Sequence, residues 1–169
     1  MPLMVVTDTL VDIPPKIQTR EAVRAIIIHD GKILLMFSRQ DQMVGTPGGG
    51  MILNESKLDT LYRELLEEVG AREVRILEHI GDTEEIRESR SLSKPLRILT
   101  DYYLVEVLEF VNASLEEHEE EMGLEPKWMD INEAIQMNEL KLAELAQDKI
   151  TFYYTQTEIL KMMKSRFGL

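Results

Sequence analysis

Three glutamates within five residues, Glu64, Glu67 and Glu68, are the part of this 169-residue sequence with the clearest chemical potential. They lie in the stretch 47–71, PGGGMILNESKLDTLYRELLEEVGA, where a run of glycines leads into a helical pattern. On a helix turning about 100° per residue, the three carboxylates fall within an arc of about 100°. Leu58, Leu61, Tyr62, Leu65 and Val69 fall on an adjoining face, which is expected to pack into a core. Carboxylates so placed repel, by up to ~4 kcal/mol for a pair about 4 Å apart in an effective dielectric of about 20. A divalent cation relieves that repulsion, and hard oxygen donors are what Mg²⁺ and Mn²⁺ take. The competing reading is a solvated glutamate face. Two features weigh against it: the glycines let the backbone approach a ligand closely, and Arg63 stands beside the carboxylates.

The same stretch resembles the box of the Nudix hydrolases, G-x5-E-x7-R-E-U-x-E-E-x-G-U, where U is a bulky aliphatic. Gly49, Glu55, Arg63, Glu64, Leu65, Glu67, Glu68 and Gly70 match in register, and only the final aliphatic departs, as Ala71. The resemblance implies a hydrolase that cleaves a nucleoside diphosphate linked to another moiety, with Mg²⁺ or Mn²⁺ as cofactor. It implies that Glu64, Glu67 and Glu68 ligate the metal and that Glu55 and Arg63 orient that cluster, with the Gly49 backbone as a further donor. An acidic site can hold a pyrophosphate only through bridging cations, which also polarise phosphorus and acidify the attacking water. Arg63 beside a carboxylate is suited to a bidentate pair that fixes side-chain direction rather than to direct substrate contact.

The box does not fix the general base: the resemblance implies either a box glutamate or a carboxylate from a downstream loop. Glu116, Glu117, Glu119, Glu120 and Glu121 crowd one connection with His118, and Glu121, with Glu120, is the preferred candidate to reach the metals. Glu84 and Glu85 are a second source. On the substrate side, Arg87, Arg90, Lys94 and Arg97 cluster in a chain short of positive charge, so Arg87, Arg90 and Arg97 are expected to face a phosphate or ribose; the alternative is a solvated hairpin. Tyr102, Tyr103 and Phe37 are suited to base stacking but read first as packing residues, and Trp128 reads as core. The family's substrate markers are missing: Ile86 and Arg87 stand where a proline marks ADP-ribose hydrolases, and Glu88 and Ser89 where a tyrosine marks diadenosine polyphosphate hydrolases. Nucleoside triphosphates or small nucleotide derivatives are favoured over nucleotide sugars and ADP-ribose. A catalytically silent nucleotide sensor is the alternative outside enzymes.

These groups need a scaffold. Val23 to His29 and Lys32 to Ser38 are apolar runs joined by Asp30-Gly31, the strongest short-range hairpin signal. Ser56 and Asp59 read as a capping box that starts the carboxylate helix, and Gly70 as its stop. Val74 to Ile80 and Leu96 to Leu108 read as strands, Trp128 sits on a short strand, Ile131 opens a helix, and the chain ends in a long helix. The irregular alternation predicts an α/β fold, and with the box a Nudix-like α/β/α sandwich around a mixed β-sheet. One domain over 1–169 is expected, with 1–20 as an arm or edge strand and 140–169 as a helical segment packed on its own domain or on a second subunit, as a homodimer. A formal charge of −12 argues against nucleic acid or an anionic membrane as the partner. Zero cysteines exclude disulfides, thiolate metal sites and a cysteine nucleophile. A small nucleotide as partner and a cytoplasmic setting complete the expectation.

Overall fold

The computed structural model describes residues 1–8, 11–88, 94–115, 117, 120, 123–145 and 151–169. Its elements run β1 (Met4–Thr7), β2 (Gln18–Ile26), β3 (Ile28–His29), β4 (Lys32–Ser38), β5 (Met43–Gly45), β6 (Gly48–Gly50), α1 (Lys57–Val69), β7 (Ala71–Glu88), β8 (Pro95–Phe110), β9 (Leu124–Met129), α2 (Ile131–Glu144) and α3 (Thr151–Phe167). One mixed sheet has the order β1-β7-β8-β2-β6, with β1 parallel to β7 and β2 parallel to β8. A second sheet is centred on β4, which pairs antiparallel with β3, β5 and β9.

Strand alternation decides how the layers form. Successive side chains on a strand point to opposite faces, so Val23, Ala25 and Ile27 join Leu34 and Met36 under Leu61, Leu65 and Val69 of α1. Ile26, Ile33, Leu35 and Phe37 point the other way, into a core closed by Ile131 and Ile135 of α2 and by Ile159, Leu160 and Met163 of α3. The result is helix, sheets, helix, as expected. Leu61 and Leu65 are fully buried, worth roughly 1.5–3 kcal/mol each relative to exposure. Among the described residues no helix is long and apolar enough to cross a membrane.

The Asp30-Gly31 turn forms, with φ of 48° and 72°, the two positive values a tight two-residue hairpin turn needs. The strand before it does not run unbroken: β2 stays in the first sheet up to Ile26, and Ile28–His29 cross to pair with β4. β7 extends well beyond Ile80, because a register shift at His79/Gly81 restarts its pairing with β8 and breaks the apolar alternation. Trp128, expected in the core, is 38% exposed and packs edge-on against Phe110. Residues 4–7 form a strand at the edge of the first sheet.

Candidate active site

Local signals start the carboxylate helix where the sequence predicts. Ser56 and Asp59 form the reciprocal capping box, the Ser56 N–H donating to Asp59 Oδ2 (3.1 Å) and the Asp59 N–H to Ser56 Oγ (3.2 Å). Gly70 ends the helix in the left-handed conformation at φ 69°. A tertiary tie also acts at the first turn: Lys57 Nζ donates to Asp101 Oδ2, while His79 Nε2 lies 2.7 Å from Asp101 Oδ1. The hydrogen bond to Asp101 holds the Lys57 ammonium above its usual pKa.

Arg63 is the hub of the site. Its Nε and Nη2 donate to the two oxygens of Glu55 (2.8 and 3.1 Å), and its Nη1 donates to Glu64 Oε1 (2.8 Å) and Glu67 Oε2 (3.2 Å). Nη2 also reaches the Gly50 carbonyl at 3.4 Å. The rigid guanidinium fork thus ties the loop before α1, three carboxylates and the glycine strand into one body. The Arg63 hydrogen bonds, with a further one from Thr60, hold the Glu55 carboxyl down at about 2. Glu55 in turn raises the Arg63 pKa.

Glu64 and Glu68 are only 8% and 5% exposed. Both turn towards β6: the Gly48 N–H donates to Glu68 Oε2 at 2.6 Å. A Cβ at Gly49 would lie 2.4 Å from Glu64 Oε1, so the bare glycine is what admits this carboxylate. At Gly48, φ is 131° and a Cβ would meet the Val23 carbonyl oxygen at 2.2 Å; here glycine is required by backbone conformation and by space. Leu58 and Tyr62, expected to pack, are instead exposed, because the helix is rolled to bury Thr60, Glu64 and Glu68 against the glycine strand. Among the described residues no three carboxylates converge as a ready-made metal cage, since Arg63 stands between Glu64 and Glu67. The donor set nevertheless suits a hard divalent cation: two buried carboxylates side by side, a third one helical position away, and a glycine backbone stripped of Cβ atoms.

Glu64, Glu68, Arg63 and Gly48–Gly50 line a cleft of about 300 Å³. The opposite wall comes from residues that sequence patterns did not single out: Arg20 and Arg24 of β2, Thr46, and Phe152 and Tyr153 of α3. A buried polar network docks that helix. Gln156 Oε1 accepts from the Thr46 N–H (2.8 Å) and hydroxyl (2.7 Å), and Gln156 Nε2 donates to Tyr102 Oη (3.0 Å). Burial and Glu85 raise the Tyr102 hydroxyl to about 12 despite that bond and nearby Arg24. Asn138 of α2 clamps Val44 through both its amide groups, accepting from the Val44 N–H and donating to its carbonyl at 2.9 Å each. Two buried amides on apolar-patterned helices were the only sequence signal for this network.

Of the basic residues proposed for substrate, Arg87 reaches a smaller cavity beside the cleft, where it donates from Nε to Glu85 at 3.1 Å. Arg97 does not: it pairs with Glu84 (3.1 Å) on the other face of the sheet, because Arg97 is in register with Ile86 and Arg87 with Leu96. Arg90, Glu121, His118, Glu116 and Glu119 lie outside the described residues. Glu117 and Glu120 are exposed.

The comparisons with known proteins agree with this architecture. The family model of the NUDIX domain matches residues 18–154. A NUDIX hydrolase from Nitrosomonas europaea superposes with a TM-score of 0.57 at 21% identity, over 72% of this chain and 79% of that one. The E. coli dihydroneopterin triphosphate pyrophosphohydrolase gives 0.57 at 15% identity, over 87% and 97%. The E. coli ORF135 protein gives 0.51 at 26% identity, over 89% and 94%. No curated protein sequence matches. With its box matched in register at all positions but Ala71 and the domain model spanning most of its length, the chain belongs to the Nudix family of pyrophosphohydrolases, enzymes that act on phosphorus-containing acid anhydrides.

Proposed function

We propose that the protein hydrolyses the diphosphate linkage of a nucleoside diphosphate joined to another moiety, with a nucleoside triphosphate or a small nucleotide derivative as substrate. The observation that carries this reading is the pairing of buried Glu64 and Glu68 at the glycine strand, on the wall of a cleft of about 300 Å³. Glu64, Glu67 and Glu68 would hold Mg²⁺ or Mn²⁺. Bound there, the cation neutralises phosphate charge and acidifies the attacking water. Arg63 and Glu55 act on the carboxylates, not on substrate. Their bidentate pair fixes the fork, and the fork fixes the directions of Glu64 and Glu67. The Gly48 N–H does the same for Glu68. In the reaction the water oxygen bonds to one phosphorus as the bridging P–O bond breaks, giving a nucleoside monophosphate and a second phosphorylated product, or pyrophosphate from a triphosphate.

The test is phosphate release from a nucleotide panel (triphosphates, ADP-ribose, nucleotide sugars, dinucleoside polyphosphates) with a coupling phosphatase, with and without Mg²⁺. Metal-dependent turnover on one class that falls more than about 100-fold in Glu68→Gln is the expected result. Tight binding of one compound without turnover of any would replace this reading with a nucleotide sensor.

A further inference from the structure

The cleft has a second chemical character at its other end. β2 alternates Arg20, Ala22 and Arg24 onto one face, and in register with it β7 and β8 bring up Arg87, Glu85 and Thr100. These residues and Phe152 line a cavity of about 150 Å³ that shares Gly49 and Gly50 with the carboxylate cleft. Three guanidinium groups there face one carboxylate, in a chain of net charge −12. Glu85 is taken by Arg87; among the described residues neither Arg20 nor Arg24 has a carboxylate within ion-pair distance. Arg24 is steered by donating to the Thr46 carbonyl. The Arg24 and Arg87 guanidinium carbons stand 4.9 and 5.8 Å from the centroid of the Phe152 ring, so one aromatic face orders both. Arg20 lies across Gly50, where a Cβ would come within 2.8 Å of its Nε.

Clustered arginines repel one another unless an anion lies between them. We propose that Arg20, Arg24 and Arg87 form an oxyanion subsite that receives a phosphate or carboxylate group of the substrate beyond the linkage held at the carboxylate end. The proposal rests on the hydrolytic reading above and narrows it. The favoured substrate carries an additional anionic group, as a triphosphate does, rather than a neutral sugar. Guanidinium forks match the oxygen geometry of either anion, and phosphate brings the larger charge.

Two experiments separate this proposal from the hydrolytic reading. Calorimetric titration of chelator-treated protein with inorganic phosphate, and in a parallel arm with malonate, should show binding that Arg20→Gln and Arg24→Gln each weaken about tenfold. The arm that binds more tightly identifies the oxyanion as phosphate or carboxylate. In steady-state kinetics Arg20→Gln should raise KM for a nucleoside triphosphate more than it lowers kcat, and should change KM far less for a nucleotide sugar whose sugar carries no charge. Arg20 is exposed on its strand, so this variant keeps the fold when Arg24→Gln does not. Failure of the parent to bind either anion at millimolar concentration, or unchanged binding by folded Arg20→Gln, overturns the subsite even if turnover is present. Anion binding that follows the arginines in a protein with no turnover keeps the subsite and removes the hydrolytic reading.

Discussion

The two ends of the cleft are built by opposite means. The carboxylate end comes from one continuous piece of chain, Gly48 to Glu68, in which a capping box, a guanidinium fork and three glycines fix every acidic side chain through near neighbours. The arginine end comes from β2, β7 and α3, with partners as far apart as Thr46 and Gln156. At the first end Glu55, Glu64 and Glu67 all have the Arg63 guanidinium beside them; at the second, Arg20 and Arg24 have no carboxylate within ion-pair distance among the described residues. A locally built site is protected against changes elsewhere in the fold, whereas an assembled one depends on how α3 docks. In the proposed reading the contrast also divides the labour: the box would supply the chemistry, and the assembled wall would select what is presented to it.

The comparison can be broken most directly at Glu64. Glu64→Gln should lower kcat more than about 100-fold in the Mg²⁺-dependent assay while the circular dichroism stays that of the parent. Near-parental turnover would strip the buried carboxylates of their assigned role. At the assembled end, Gln156→Ala removes the partners of the Thr46 N–H, the Thr46 hydroxyl and Tyr102 Oη. Buried groups left unpaired should cost about 2–4 kcal/mol, a drop of roughly 4–16 °C in melting temperature for a chain of this size. An unchanged melting temperature would mean that Ile159, Leu160 and Met163 alone hold α3.

Smaller effects sharpen the contrast. Gly49→Ala places a methyl 2.4 Å from Glu64 Oε1 and should reduce kcat by roughly 10–100-fold, with little loss of thermal stability. A lesion confined to activity would show that the glycine serves the carboxylate rather than the strand. The smallest effect is pH-linked. Arg63 holds Glu55 at about 2, below its ordinary 4.5, so the pair contributes stability above about pH 4.5 that is lost as pH falls towards 2. Melting temperature followed down through this window should fall less steeply in Glu55→Gln than in the parent. Parallel curves would mean the pair does not couple to folding.

Much of the carboxylate end was legible because its determinants are local. Periodicity placed the glutamates together, Ser56, Asp59 and Gly70 set the helix ends, and Arg63 was expected in a carboxylate pair. The same periodicity misjudged the roll of the helix, leaving Tyr62 outside and Glu64 and Glu68 inside, because a hydrophobic arc cannot foresee a strand of bare glycines that accepts charged groups. Among the arginines, the cluster in sequence was separated by strand parity, which sent Arg87 to the cavity and Arg97 to the opposite face.

The sequence by itself determined the box, the composition that excludes thiol chemistry, the hairpin turn and the carboxylate helix with its ends, since each depends on spacing within a few residues. Only the tertiary structure decided that Arg20, Arg24, Arg87 and Phe152 share one cavity, and that a glutamine far along the chain supports the strand leading to the glycines. Their separation in sequence leaves no periodic trace; they meet because β2 lies parallel to β8, β8 pairs with β7, and α3 packs across all three.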